Sequence, residues 1–124
     1  MRQISSLGQK EAELVIQVIN IEAEKRQKPV VIAVSDAYGE LLALLRMDGA
    51  PLPSTVVATN KAFTATRERK PSGALGKASR DLISGFDLRN FGDPRYLGWG
   101  GGVPVVVDGA IVGGIGVSGL HESE

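Results

Sequence analysis

A chain of 124 residues and 13.1 kDa is one domain's worth of polypeptide, and 43% hydrophobic against 23% charged residues is the balance of a globular protein with a core, neither disordered nor collagenous. Lys plus Arg equals Asp plus Glu at 14 each, so no net field draws the protein onto nucleic acid or an anionic membrane. The absence of cysteine excludes disulfides, thiolate nucleophiles, iron–sulfur clusters and cysteine-containing zinc sites.

Residues 5 to 27 alternate Leu7, Ala12, Leu14, Val15, Val18, Ile19 and Ala23 with charged and polar side chains at helical spacing. This predicts a long amphipathic helix. Ser6 with Gln9 fits a capping box, and Pro29 limits the far end. Val30-Val-Ile-Ala-Val-Ser35 is β-branched and short, Asp36-Ala-Tyr-Gly39 has turn chemistry, and Glu40 to Met47 is expected to return as the second strand of a hairpin. Pro53 and Ser54 open a second helix that runs to about Arg69, with Ser54 suited to capping and Pro71 blocking continuation. Lys61, Arg67, Arg69 and Lys70 crowd its second half.

Residues 72 to 99 are the least regular stretch, with a short helix from Ser72 to Arg80 and then a loop. Four of the six aromatic residues, Phe86, Phe91, Tyr96 and Trp99, lie in that loop, which predicts a segment folded onto the body. The last segment is the clearest. Val105-Val-Val107 and Ile111-Val112 flank Asp108-Gly109, a pair suited to a type I′ hairpin turn. Helix, hairpin, helix, loop, hairpin is an α+β order: one antiparallel sheet flanked by helices in a single domain, residues 1–124.

Several motifs invite chemistry. Gly114-Ile-Gly116-Val-Ser-Gly119 matches the dinucleotide fingerprint letter for letter, but no helix, second strand and acidic partner follow it, so close backbone approach by another subunit or a ligand is the better reading. Gly100-Gly101-Gly102 is a tight turn into the strand or an anion-binding nest. With no G-x-S-x-G elbow, and His121 the lone imidazole, neither a Ser–His–Asp triad nor a zinc site is expected. Asp36, Asp48 and Asp108 sit at turns beside glycine, where Asp is common for backbone reasons alone. Arg46 and Lys61 either solvate their surroundings or converge on a cleft and hold a carboxylate.

Taken in order, Val-Ile-Ala-Val-Ser-Asp36 with Gly39, Arg46-Met-Asp-Gly-Ala50, Lys61-Ala62 with Thr64-Ala65, and Gly101-Gly-Val-Pro104 through Gly109 to Gly116-Val-Ser-Gly119 resemble the GlcG and HbpS family over about residues 10 to 119. The resemblance implies a profilin-like α+β fold assembled into dimers or larger rings, with relatives near glycolate or diol catabolism, in PduO-type C-terminal domains and among extracellular haem-binding, haem-degrading sensors. Haem-binding members can use a histidine in the first helix, which is absent here, and members usually continue into a further C-terminal helix.

The expected function is therefore a small oligomeric protein binding haem or a small organic acid, with Arg46, Lys61, Arg67, Gly101, Gly102, Gly116, Ser118 and His121 as candidate ligand-binding residues. Haem is the candidate cofactor, with His121, Met47, Tyr38 and Tyr96 as its possible iron ligands. The alternatives are an enzyme acting on a small carboxylate through Lys61 or Asp36, and a non-catalytic interaction subunit. Expected partners are a small molecule and further copies of the chain, not nucleic acid or a membrane. No apolar stretch follows basic residues at the N-terminus and none nears the roughly 18 residues of a spanning helix, so a cytoplasmic location is expected.

Overall fold

The computed structural model describes residues 1–120, arranged as α1 (Gln9–Lys25), β1 (Val31–Ser35), β2 (Leu41–Arg46), α2 (Ser54–Glu68), α3 (Ser72–Ser79), β3 (Gly102–Val107) and β4 (Ala110–Ser118). A single 3-10 turn, Leu88–Asn90, interrupts the loop before β3. The four strands form one antiparallel sheet in the order β2-β1-β4-β3, so the two hairpins join through β1 and β4. The α+β class and both hairpins are as the turn chemistry predicts. Asp108 and Gly109 take φ of 50° and 77°, the paired positive values of a type I′ turn.

Helix starts differ from expectation in their chemistry. Gly8, not Ser6, precedes α1, and the Glu11 side chain accepts the Gly8 N–H at 2.8 Å. Ser6 instead accepts the Ala37 N–H at 2.9 Å, tying the N-terminal segment to the β1–β2 turn. Likewise Pro53 stands at the cap of α2, leaving Ser54 buried inside the first turn with no capping bond. At its other end α2 stops on Arg69, which turns left-handed with φ 60° just before Pro71.

The register divides β1 cleanly between two faces. Val31 and Ala33 pack with Ala58 and Ala62 of α2, whereas Val30 and Ile32 pack with Ala23, Ile16 and Ile19 of α1. All five β1 residues are buried, as befits a central strand covered on both sides. Opposite Ala33 and Ser35, β4 places Gly116 and Gly114 on the α2 face. A Cβ on Gly116 would lie 2.0 Å from the Ala58 carbonyl oxygen and 2.8 Å from the Ala62 nitrogen. Gly114 and Gly116 of the apparent nucleotide fingerprint thus let α2 settle directly onto the strand, and the close approach is made by the chain's own helix.

The 81–99 loop folds over α2 through its rings. Tyr96 lies 5.2 Å from Phe63 and 5.0 Å from Phe91, which is 5.0 Å from Phe86; the outer rings Phe86 and Phe91 keep over a third of their surface exposed, and Trp99 stands apart at 55%. Thr64 of α2 accepts the Leu97 N–H at 2.9 Å, and the Arg95 guanidinium sits 3.9 Å above the Phe63 ring. Arg95 also reaches Glu40 at 2.8 Å and Asp93 at 3.0 Å. Hydrogen bonds from the Arg95 side chain, then from its backbone, hold the Asp93 carboxyl below the usual carboxylate range.

Candidate functional site

α1 lies over β1 and β2 and stops short of the other half of the sheet, so on that face β4 and β3 are left partly uncovered. The space between them is a groove of about 500 Å³. Val18 and Ile19 of α1 form one wall, and Ile115 and Val117 of β4 with Val103 of β3 form the other. Three basic residues, Arg26, Lys28 and Lys61, line it together with the acidic Glu22. Arg26 is paired with Glu22 at 3.0 Å, an exposed i,i+4 contact of about 0.3–0.5 kcal/mol that leaves most guanidinium donors usable.

Lys61 reaches this groove from the opposite side of the sheet. It is only 6% exposed, and its Nζ donates to the Val117 carbonyl at 3.1 Å. Its path is made by the glycine turn. A Cβ on Gly101 would fall 2.9 Å from Lys61 Nζ and 2.6 Å from the Val117 carbonyl oxygen, and Gly101 has φ +112°, which disfavours any side chain. Gly102 crosses the α2 backbone beside the Lys61 carbonyl, and its N–H donates to Ser72 Oγ at 2.9 Å. The Ser72 hydroxyl in turn donates to the Trp99 carbonyl at 2.6 Å, so the start of α3 holds the turn in place.

Of the residues singled out by sequence, Lys61 and Gly101 line the groove and Gly102 adjoins it. Arg46 does not share a cleft with Lys61: it is exposed at the end of β2, the edge strand farthest from β3, so the predicted cation pair does not form. Arg67 is elsewhere too, lying over the Phe63 ring at 4.8 Å, donating to the Tyr38 carbonyl and standing 3.8 Å from Glu40. Gly116 and Ser118 share the α2 face, away from the groove. Asp36 is absorbed in its turn, where Oδ1 accepts the N–H groups of Tyr38 and Glu40 at 2.9 and 3.0 Å, and it does not adjoin Lys61. His121 lies outside the described residues.

The described residues offer haem iron no ready axial ligand. Met47 is turned into the core, with Sδ 3.4 Å from the Val30 nitrogen, Tyr38 is exposed on the first hairpin turn, and Tyr96 is held in the ring ladder, where burial, then the Glu68 charge, pushes its phenol pKa up. Among the described residues, none of the groove's side chains is a usual axial ligand, and no cluster of His, Asp or Glu could hold a metal ion. The groove does suit the rest of such a molecule, with aliphatic walls for a flat ring and basic side chains for carboxylates.

Sequence reading missed the aliphatic walls. Part of their signal was present: Val18 belongs, with Leu14 and Ile21 at i, i+4, i+7 spacing, to a second apolar stripe on α1 that burial against β1 and β2 does not use, and the three remain 61%, 61% and 58% exposed. No helix among the described residues is long and apolar enough to cross a membrane.

The fold is shared with known proteins. The model of the family described as haem degrading protein HbpS-like matches residues 7–124. Protein GlcG of Escherichia coli strain K12 is 38% identical over 112 residues, covering 90% of this chain and 81% of that protein. A solved PduOC–haem complex superposes with a TM-score of 0.87 at 26% identity, covering 95% of this chain and 86% of the other. A double mutant of HbpS from Streptomyces reticuli gives a TM-score of 0.84 at 35% identity, covering 96% and 78%.

Proposed function

The chain belongs to the HbpS-like family, and from that premise we propose that it binds a flat, largely apolar carboxylate, haem foremost, in the groove between α1 and β4–β3. The observation that carries this reading is the union, in one cavity of about 500 Å³, of aliphatic walls with basic side chains. Sites of about 300–1,000 Å³ accommodate cofactors and similar small molecules. A short organic acid would leave most of that apolar lining facing water. The PduOC relative, seen with haem, supports the larger ligand.

In this reading Val18, Ile115 and Val117 contact the ring, and Lys61 receives a propionate at the inner end. Affinity comes chiefly from apolar burial, with charge-assisted hydrogen bonds fixing orientation. His121 follows the groove residue Leu120 in sequence and is the candidate iron ligand to vary. Haem titrated into the wild-type and His121→Ala proteins is expected to give a saturable Soret change at one haem per chain in both, with the band shifted in the variant; an identical band would remove His121 as the iron ligand. No saturable change in either would overturn haem binding and leave the small organic acid as the ligand.

Assembly belongs to the same proposal. Leu14 and Ile21 on α1 and Val106 and Val107 on β3 are at least half exposed, an apolar surface suited to a second copy of the chain. Light scattering at micromolar concentration is expected to report a mass well above 13.1 kDa, and a concentration-independent monomer would contradict it.

A further inference from the structure

A second cleft, of about 610 Å³, lies away from the groove, between the end of α3, the Leu88–Asn90 turn and the segment Pro94 to Trp99. Its chemistry is different. Arg80 and Arg89 enter it from separate segments, and both are exposed. Among the described residues neither guanidinium has a carboxylate within ion-pair distance, whereas Arg26, Arg67 and Arg95 all do. Both oxygens of the neighbouring Asp87 are occupied, Oδ1 by the Arg89 N–H at 3.0 Å and Oδ2 by Asn90 Nδ2 at 2.7 Å. The acid thereby holds the backbone under Arg89 instead of neutralising its side chain.

Trp99 also borders this cleft. Its main chain is pinned by the Ser72 hydroxyl, yet its indole is 55% exposed, an apolar ring placed in water in the cleft that the two arginines also line. Tyr96 behind it is already engaged with Phe63 and Phe91, so Trp99 is the ring free to accept a stacking partner.

We propose that this cleft binds a mononucleotide, with the phosphate held by Arg80 and Arg89 and the heteroaromatic ring stacked on Trp99. Guanidinium forks match phosphate oxygens bidentately, and an indole face accepts any flat base. The site is separate from the glycine fingerprint of β4, whose Gly114 and Gly116 are packed beneath α2, and it does not rest on the haem reading.

Trp99 is the single tryptophan of the chain, so its fluorescence reports this cleft directly. Titration with AMP is expected to quench it saturably. Adenosine and inorganic phosphate should each bind at least about tenfold more weakly, as should AMP to Arg80→Ala or Arg89→Ala, the loss typical of a charge-assisted contact. Both arginines are exposed and outside the core, and unchanged circular dichroism confirms that each variant is folded. Calorimetry with Trp99→Phe checks that quenching reports binding, since the smaller ring keeps a weakened heat of AMP binding. Absence of a saturable response at millimolar AMP, or AMP affinity unchanged in both arginine variants, would overturn the proposal.

Discussion

Gly116→Val is expected to abolish the folded state, and Gly116→Ala to lower stability by about 3 kcal/mol or more in urea unfolding. The added Cβ would lie 2.0 Å from the Ala58 carbonyl oxygen and close to the Ala62 nitrogen, atoms of a helix backbone that cannot rotate away as a side chain can. Overpacking of a core by extra methylenes costs about 1–3 kcal/mol when side chains can give, and here α2 itself must lift from the sheet. Ala58 and Ala62 are completely buried in that contact, so the displacement would open the centre of the core. A loss of this size is a large part of the roughly 5–15 kcal/mol that stabilises a domain. Gly92→Ala is the matched control. Its φ is +105° but no atom lies within 4 Å of the added Cβ, so only backbone strain of roughly 1–2 kcal/mol is expected. Equal unfolding midpoints for Gly116→Val and the wild type would show that α2 does not rest on β4 as described.

Lys61→Met should weaken haem binding by about 10- to 100-fold while leaving the protein folded. Methionine retains an unbranched stem along the same path but removes the donor, and a hydrogen bond to a charged group is worth about 1.5–3 kcal/mol, or roughly one to two powers of ten in affinity. The lost ammonium bond to the Val117 carbonyl should itself cost about 1.5–3 kcal/mol of stability, less than the roughly 5–15 kcal/mol that keeps a domain folded. Arg46→Ala and Arg67→Ala should bind haem as the wild type does, because neither side chain lines the groove. If Lys61→Met bound with unchanged affinity, the anionic end of the ligand would have to lie elsewhere.

The contrast between Lys61 and Arg46 shows where sequence reading stops. Local chemistry made the elements legible: Asp108-Gly109 and Asp36 with Gly39 specify their turns, Pro71 ends α2, and β-branched runs mark β1 and β3. The adjacency of β1 and β4 has no local signature, because it joins residues more than 70 positions apart, and it decides which half of the sheet α1 leaves bare. Without it, a lysine buried in α2 could not be seen threading past Gly101 to the other face. The glycines of β4 were legible as a close backbone approach but not as the seat of α2. Ser6 was a good cap by type, yet Gly8 with Glu11 took the position because Ser6 is drawn to the Ala37 N–H across the fold. Trp99, grouped by composition with the packed rings, stays outside their ladder because its backbone is committed to the turn that leads into β3.

The most direct test of the groove as the ligand site is methyl NMR of protein labelled at Ile, Leu and Val, titrated with zinc protoporphyrin, which avoids the paramagnetism of haem iron and tolerates a large assembly. The methyl groups of Val18, Ile19, Val103, Ile115 and Val117 are expected to shift together and to saturate with one stoichiometry. Those of Val31, buried on the α2 face, and of Val56, exposed on α2, should stay in place. Shifts confined to Leu88 and Leu97 of the second cleft, or to Leu82 and Ile83 on the exposed loop, with the groove methyls unmoved, would contradict the assignment.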